Sequence, residues 1–131
     1  MASAPSSASA SKVSSTAKPA QHQPLEYVTT QKQLDAIVAK HLHVLVDFSA
    51  MWCGPCKQLK PKLEALAAED RYSYVKIIGI DIERFDNAEL IQEIESLPTF
   101  FFYAGGRKDS ETLSSSDMKA IREYIDGQSL V

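Results

Sequence analysis

Cysteine is scarce in this sequence, and its only two cysteines, Cys53 and Cys56, stand three positions apart. A small secreted scaffold held together by disulfides would use more cysteines at wider spacing. A structural disulfide across so short a loop would also constrain the unfolded chain little. We therefore interpret the two thiols as a reactive pair in a reducing compartment, with a structural disulfide or a chance pair as the alternative.

Long apolar runs and an excess of basic residues are also missing. No stretch approaches the roughly 18 apolar residues that a transmembrane helix needs, and the N-terminal residues lack the apolar core of a secretory signal. All 17 acidic residues lie in residues 25–131 against 12 of the 14 basic ones, so this part has a net charge of −5. We expect neither nucleic acid nor a membrane surface as a partner.

Residues 1–24 contain no acidic residue and one large aliphatic residue, Val13. Such a segment cannot bury enough apolar surface to offset the entropy lost on ordering, so we predict a disordered, Ser- and Ala-rich extension ahead of one domain at residues 25–131. Transit peptides are also rich in Ser and poor in acids, but this segment has no Arg and no amphipathic period. A cytoplasmic protein is the favoured interpretation, and a mitochondrial or other organellar one is the alternative.

From residue 25 onward, apolar runs alternate with helical repeats. Runs typical of strands occur at residues 25–28, 44–48, 74–80 and 99–103, and a shorter one near 110–113 follows the turn signal Gly105-Gly106. Apolar residues at helical spacing predict helices after Thr29 or Thr30, after Cys56, near residues 90–94 and near residues 118–125. This order predicts an α/β sandwich whose parallel sheet is closed by an antiparallel edge.

Three stretches of the sequence resemble the thioredoxin family. They are Val-Asp-Phe-Ser-Ala-Met-Trp-Cys-Gly-Pro-Cys-Lys at residues 46–57, Pro61 eight positions after the first cysteine, and Leu97-Pro98-Thr99 ahead of an aromatic strand. Gly54-Pro55 between the cysteines resembles thioredoxins proper, whereas protein disulfide isomerases usually have Gly-His and glutaredoxins Pro-Tyr. The resemblance implies the thioredoxin fold, a three-layer sandwich with a central mixed sheet of about five strands flanked by four helices.

The resemblance also implies a protein-disulfide reductase that uses a redox disulfide between Cys53 and Cys56, with no metal and no bound cofactor. Cys53 falls between a strand and a helix, where unpaired N–H groups and the helix dipole stabilise a thiolate nucleophile. Cys56 lies on the same helix face, and a more interior position should keep it protonated until it resolves the mixed disulfide. Pro55 is tolerated in a first helical turn and stiffens it, and by family analogy Gly54 and Pro55 favour a reductant.

Asp47 interrupts an apolar strand six residues before Cys53. Burial of a carboxyl group raises its pKa, and the resemblance implies that Asp47 accepts the proton of Cys56. The alternative is an exposed Asp at the end of the sheet. Thioredoxins often have a Lys near this Asp, but here Ile77 takes that place and Lys76 should point to the opposite face.

The resemblance implies a substrate-binding surface formed by Trp52, Leu97, Pro98 and Thr99. Pro98 matches the family's cis-proline, and a cis bond exposes the backbone of Leu97 to an extended client segment. Trp52 offers an apolar docking surface, with a core aromatic as the alternative. An ordinary trans-proline is the alternative for Pro98.

The partners implied by the resemblance are a thioredoxin reductase, with electrons ultimately from NADPH, and disulfide-containing clients such as peroxiredoxins or reductases. A monomer is expected. Two other functions stay open: a binding module whose affinity follows redox state, and an oxidase or isomerase of an oxidising compartment. His41 and His43 make a poor zinc site, because no second pair of ligands stands at the usual spacing.

Overall fold

A computed structural model describes residues 24–130 of the chain. The predicted extension at residues 1–24 lies outside the described residues, apart from Pro24. The elements in chain order are β1 (Glu26–Tyr27), α1 (Gln31–Lys40), β2 (His43–Ser49), α2 (Gly54–Ala67), a short 3-10 helix (Asp70–Tyr72), β3 (Val75–Asp81), α3 (Ala88–Ile91), β4 (Thr99–Ala104), β5 (Arg107–Leu113) and α4 (Met118–Gln128).

The five strands form one mixed sheet in the order β1-β3-β2-β4-β5. Strands β1, β3 and β2 are parallel, whereas β4 pairs antiparallel with β2 and β5 pairs antiparallel with β4. Four α-helices accompany this sheet. The predicted mixed sheet with a parallel part and an antiparallel edge is therefore confirmed.

Central strands β2 and β3 are buried on both faces of the sheet, as their continuous apolar runs predict. On one face Leu45 and Ile77 pack with Leu63 of α2 and Ile121 of α4. The other face packs against α1 and α3, with a second cluster formed by Val28, Leu34, Val38, Val44, Val46, Phe48, Ile78, Ile80, Phe85 and Phe101. Alternation along the strands thus gives two cores and three layers.

Local signals determine where two of the helices begin. Of the two predicted caps for α1, the structure selects Thr30, whose side chain accepts from the backbone N–H of Gln33 while the Gln33 side chain accepts from the backbone of Thr30. Cys53 caps α2, and Pro55 lies in its first turn. The active-site motif is therefore also the signal that begins the second helix.

Several predicted element lengths need correction. The helix predicted near residues 90–94 is the four-residue helix Ala88–Ile91, capped by Asn87, and turn-type hydrogen bonds replace the helical ones after it, up to Ile94. Strand β1 has only two residues, whereas β5 begins earlier than predicted, at Arg107. Most side chains of β5 are exposed, so no apolar pattern marks the full length of this strand. A strand at the edge of the sheet does not need to be buried on both faces.

Candidate redox-active site

The two cysteines lie where β2 ends and α2 begins. Cys53 has extended backbone angles, and its sulfur accepts a hydrogen bond of 3.2 Å from the backbone N–H of Cys56. The two residues are joined as a disulfide, with their Cα atoms 5.3 Å apart, within the range that such a bond requires. The N–H contact and the helix dipole favour negative charge on the Cys53 sulfur once the pair is reduced.

Exposure does not separate the two cysteines in the predicted way. Cys53 is 5% exposed and Cys56 is 6% exposed, so the expectation that Cys56 is the more interior residue is wrong. Both cysteines pack with Ala50, and the partly buried residues Ile82 and Leu97 lie against this cluster. What differs is the space that each cysteine faces.

Cys53 faces an open groove with a volume of about 450 Å³, lined also by Trp52, Pro55 and Leu97. Cys56 faces a second cavity, with a volume of about 400 Å³, on the other side of the α2 N-terminus. The groove beside Cys53 offers room for a client, whereas the second cavity is lined by Cys56 and not by Cys53. The two thiols can therefore take different parts in an exchange reaction even though they are equally buried.

The loop opposite Cys53 has the geometry expected from Leu97-Pro98-Thr99. The peptide bond between Leu97 and Pro98 is cis, which excludes the trans alternative, and Leu97 packs partly buried against the cysteine cluster. Thr99 is only 4% exposed, and its hydroxyl donates to the backbone carbonyl of Ser96 at 2.6 Å. Its side chain thus holds the loop, and a contact between Thr99 and substrate stays a prediction.

Trp52 stands out from the surface beside Cys53. It is 64% exposed, which excludes the alternative of a core aromatic. Its indole N–H donates to the Glu83 carboxylate at 3.0 Å. This bond fixes the ring while leaving most of its apolar surface open, which suits an amphipathic docking residue.

Asp47 is buried in β2, with 3% exposure, so the alternative of an exposed strand-end Asp is excluded. Among residues 24–130, its Oδ1 atom has no hydrogen-bond partner. Burial raises the pKa of Asp47 from 3.8 to about 7, because an ionised carboxylate loses its hydration there. The group can therefore gain or release a proton near neutral pH.

The β3 residue paired with Asp47 is Gly79, whereas Ile77, predicted to take the place of the family's lysine, lies two residues earlier on β3. Ile77 lies on the same sheet face, because Leu45 pairs with Ile77 and Asp47 pairs with Gly79 in the parallel ladder. Lys76 points to the opposite face and contacts Glu26 at 3.2 Å. Burial is accordingly the cause of the raised pKa of Asp47.

Residues 26–127 match the family model described as Thioredoxin. The chain belongs to the thioredoxin family. It is 39% identical over 100 residues to Thioredoxin-3 of Dictyostelium discoideum, an alignment that covers 76% of this chain and 92% of that protein. It is 39% identical over 84 residues to thioredoxin of Mus musculus, covering 62% of this chain and 78% of that protein.

Solved thioredoxins have the same fold. The structure of Plasmodium falciparum thioredoxin superposes with a TM-score of 0.70 at 31% identity, covering 79% of this chain and 98% of that one. Thioredoxins are protein thiol–disulfide oxidoreductases, and this chain has their redox-active cysteine pair and reduces disulfides by dithiol–disulfide exchange. The family uses no prosthetic cofactor.

Residues 24–130 contain neither a candidate membrane-spanning helix nor a candidate metal-binding cluster. Within residues 24–130, no helix is both long and apolar enough to span a bilayer. In the same residues, no three or more His, Cys, Asp or Glu side chains lie close enough together to bind a metal ion. His43 instead packs its ring against Tyr74 and Phe102, at centroid distances of 5.5 and 5.8 Å.

Sequence reasoning missed three residues beside the site: Tyr27, Gly79 and Glu83. Gly79 interrupts an apolar strand, and a glycine inside a strand often marks a close approach of another group. The ring of Tyr27 makes that approach. Glu83 had no signal, because it lies among several acidic residues and only the fold brings it to Trp52.

Proposed function

We propose that this thioredoxin reduces client disulfides with Cys53 as the nucleophile, Cys56 as the resolving thiol and Asp47 as the proton acceptor for Cys56. The observation that carries the proposal is the position of Cys53 at the α2 N-cap, where its sulfur accepts the Cys56 N–H and faces the open groove. A thiolate is stabilised there and can be reached by a client.

The reaction balances in two exchange steps. The Cys53 thiolate attacks one sulfur of the client disulfide, which forms a mixed disulfide and releases the other client sulfur as a thiolate. Cys56 then transfers its proton to Asp47, and its thiolate attacks the Cys53 sulfur. The client leaves with both sulfurs reduced, and the protein keeps the Cys53–Cys56 disulfide.

The client is proposed to lie along the groove beside Cys53. Trp52 supplies apolar surface at one side, and the backbone of Leu97 next to the cis-proline Pro98 supplies hydrogen-bonding groups at the other. Thr99 holds this loop through Ser96. Gly54 and Pro55 form the floor of the groove in the first turn of α2.

We further propose that a thioredoxin reductase returns the disulfide to the dithiol with electrons from NADPH. The clients are disulfide-containing proteins such as peroxiredoxins or reductases, the protein acts as a monomer, and its compartment is the cytoplasm. The support is the family's general use of a reductase and disulfide substrates together with the cysteine content of the chain.

Reduction of insulin disulfides tests the proposed function. The wild-type protein, supplied with NADPH and a thioredoxin reductase, is expected to reduce insulin continuously, as followed by NADPH consumption and insulin precipitation. A control reaction without the reductase should stop after one equivalent of disulfide. If the wild-type protein binds clients but reduces none of them, a redox-dependent binding module becomes the better description.

Trp52→Ala is expected to raise the KM for a protein client roughly 10-fold, equivalent to about 1.4 kcal/mol of lost docking energy. The unfolding free energy should change little, because the Trp52 ring is mostly exposed. Leu42→Ala is a matched control, since Leu42 is 67% exposed but precedes β2 at the opposite end of the strand from the cysteines. An unchanged KM in Trp52→Ala, or an equal rise in Leu42→Ala, would contradict docking at Trp52.

A further inference from the structure

A row of side chains crosses three neighbouring strands next to the cysteines. Tyr27 of β1 pairs with Gly79 of β3, and Gly79 pairs with Asp47 of β2. Paired residues of a parallel ladder project on the same face of the sheet. Tyr27 and Asp47 are therefore separated on this face only by a residue without a side chain.

The ring of Tyr27 occupies the space that Gly79 leaves. A Cβ atom placed on Gly79 would lie 2.6 Å from Cε2 and 2.9 Å from Cδ2 of Tyr27, too close for any other residue without movement of the ring. Neighbouring strands lie about 4.8 Å apart, so the Cα atoms of Tyr27 and Asp47 are roughly 10 Å apart. A tyrosine lying across the glycine spans much of that distance.

The Tyr27 ring also borders the cavity behind Cys56. Tyr27, Ser49 and Cys56 line this space of about 400 Å³, and Asp47 lies two residues before Ser49 on the same face of β2. A space of this size holds several water molecules, each of which occupies roughly 30 Å³. Tyr27 lines this cavity, whereas Asp47 does not.

We propose that Tyr27, seated on Gly79, is a positioning residue that shields Asp47 from water in the cavity and so favours the uptake of a proton by this carboxyl group. The inference rests on the proposed role of Asp47 as proton acceptor. It assigns to an aromatic ring the control of the space above Gly79, the residue that pairs with Asp47.

The electrostatic surroundings agree with a ring placed between Asp47 and solvent. Burial and the charge of Asp47 raise the pKa of Tyr27, while a side-chain hydrogen bond with Ser49 acts in the opposite direction. Lys60 of α2 lies 5.2 Å from the centre of the ring on its cavity side. The charged groups around the ring and cavity are those of Asp47, Lys57, Lys60, Glu64, Asp81 and Arg84.

The pH titration of the Asp47 carboxyl tests this inference, followed by carbon NMR on the oxidised protein so that no thiol titrates. Tyr27→Ala is expected to lower the titration midpoint of Asp47 by at least about one pH unit, because water then solvates the carboxylate. Tyr27→Phe should keep the midpoint, since the ring remains. Tyr74→Ala, which removes a tyrosine just before β3 at its opposite end, is the matched control and should also keep it.

A double-mutant cycle separates shielding from general damage. Gly79→Ala alone must displace the ring and should lower the Asp47 midpoint in the same direction. In the Tyr27→Ala background, the same change should have no further effect, because no ring remains to be displaced. If Tyr27→Ala does not fold, Tyr27→Leu replaces it and should give a smaller downward shift.

Three results would overturn the inference. The Asp47 titration midpoint could be unchanged in folded Tyr27→Ala, or it could fall in Tyr27→Phe as far as in Tyr27→Ala. The effects of Tyr27→Ala and Gly79→Ala on this midpoint could also be additive. The Asp47 titration is measured on the oxidised protein and does not depend on reduction of a client. A failure of the shielding role is therefore distinct from a failure of the proposed function, in which the wild-type protein would not reduce a client disulfide.

Discussion

Asp47→Asn is expected to stabilise the oxidised protein by about 2–4 kcal/mol at pH 8 and to change its stability little at pH 4. In the unfolded chain the Asp47 carboxyl ionises near its ordinary pKa of 3.8, whereas in the folded protein it stays protonated up to about pH 7. Between these values the unfolded state binds fewer protons, so the wild-type stability falls as the pH rises. Above pH 7 the wild-type stability no longer falls with pH, but the free-energy cost of the buried, ionised Asp47 remains.

The upper limit of this stabilisation follows from the pKa shift of Asp47, which corresponds to about 4 kcal/mol at 1.36 kcal/mol for each pH unit. Urea unfolding of both proteins at a series of pH values measures the difference. Asp70→Asn is a matched control, because it removes the same charge at an exposed position and should leave the pH dependence nearly unchanged. If Asp47→Asn unfolds with the same pH dependence as the wild type, the buried carboxyl is not ionising as proposed.

A second large effect is expected when the two cysteines are replaced separately. Cys53→Ser should lower insulin reduction by at least about 1,000-fold, because the nucleophile of the first exchange is lost. Cys56→Ser should still attack a client once, but it should then stop as a stable mixed disulfide, since no second thiol resolves it. The two variants thus fail at different steps.

Mass spectrometry and non-reducing gels distinguish these two failures. Cys56→Ser should accumulate one covalently bound client for each protein molecule, and a small thiol should release it. Cys53→Ser, the matched control in which the other member of the pair is replaced, should accumulate far less. Equal accumulation in both variants would mean that the cysteines do not have separate roles, despite the different spaces that they face.

The central strands and the site motif could be predicted from sequence because their physical causes are local. Residues 44–48 form an apolar run interrupted only by Asp47, and such a run is favoured where both faces of a strand are covered. The Cys53 cap and Pro55 begin α2 through their own backbone preferences. The burial of Asp47 followed in turn from its place inside the same run.

Other features depend on contacts that no local pattern contains. The sequence shows Gly79 inside a strand and Tyr27 far from it, but only the pairing of β1 with β3 places the ring over the glycine. The bond from Trp52 to Glu83 likewise needs the chain end of β3 to come beside the cysteine loop. The apolar residues Leu90, Ile91 and Ile94 do pack against the core, but the backbone after Ile91 forms turns, and their spacing does not tell a turn from a helix.

The equal burial of Cys53 and Cys56 shows a further limit of reasoning from sequence position. A place three residues further along a helix suggests a more interior Cys56, yet both cysteines are about equally buried and both pack with Ala50. Their different roles are proposed instead from what surrounds them, a client groove on one side and a cavity near Asp47 and Tyr27 on the other.

The most direct test of the central claim is to locate the client on the wild-type protein during turnover. Reduced protein is mixed with an excess of a disulfide-linked peptide, quenched with acid within milliseconds, and digested. Fragmentation between Gly54 and Pro55 then tells whether the peptide is attached to the sulfur of Cys53 or that of Cys56. Attachment to Cys53 is predicted, because that sulfur faces the groove. Attachment mainly to Cys56 would contradict the proposed order of attack and resolution.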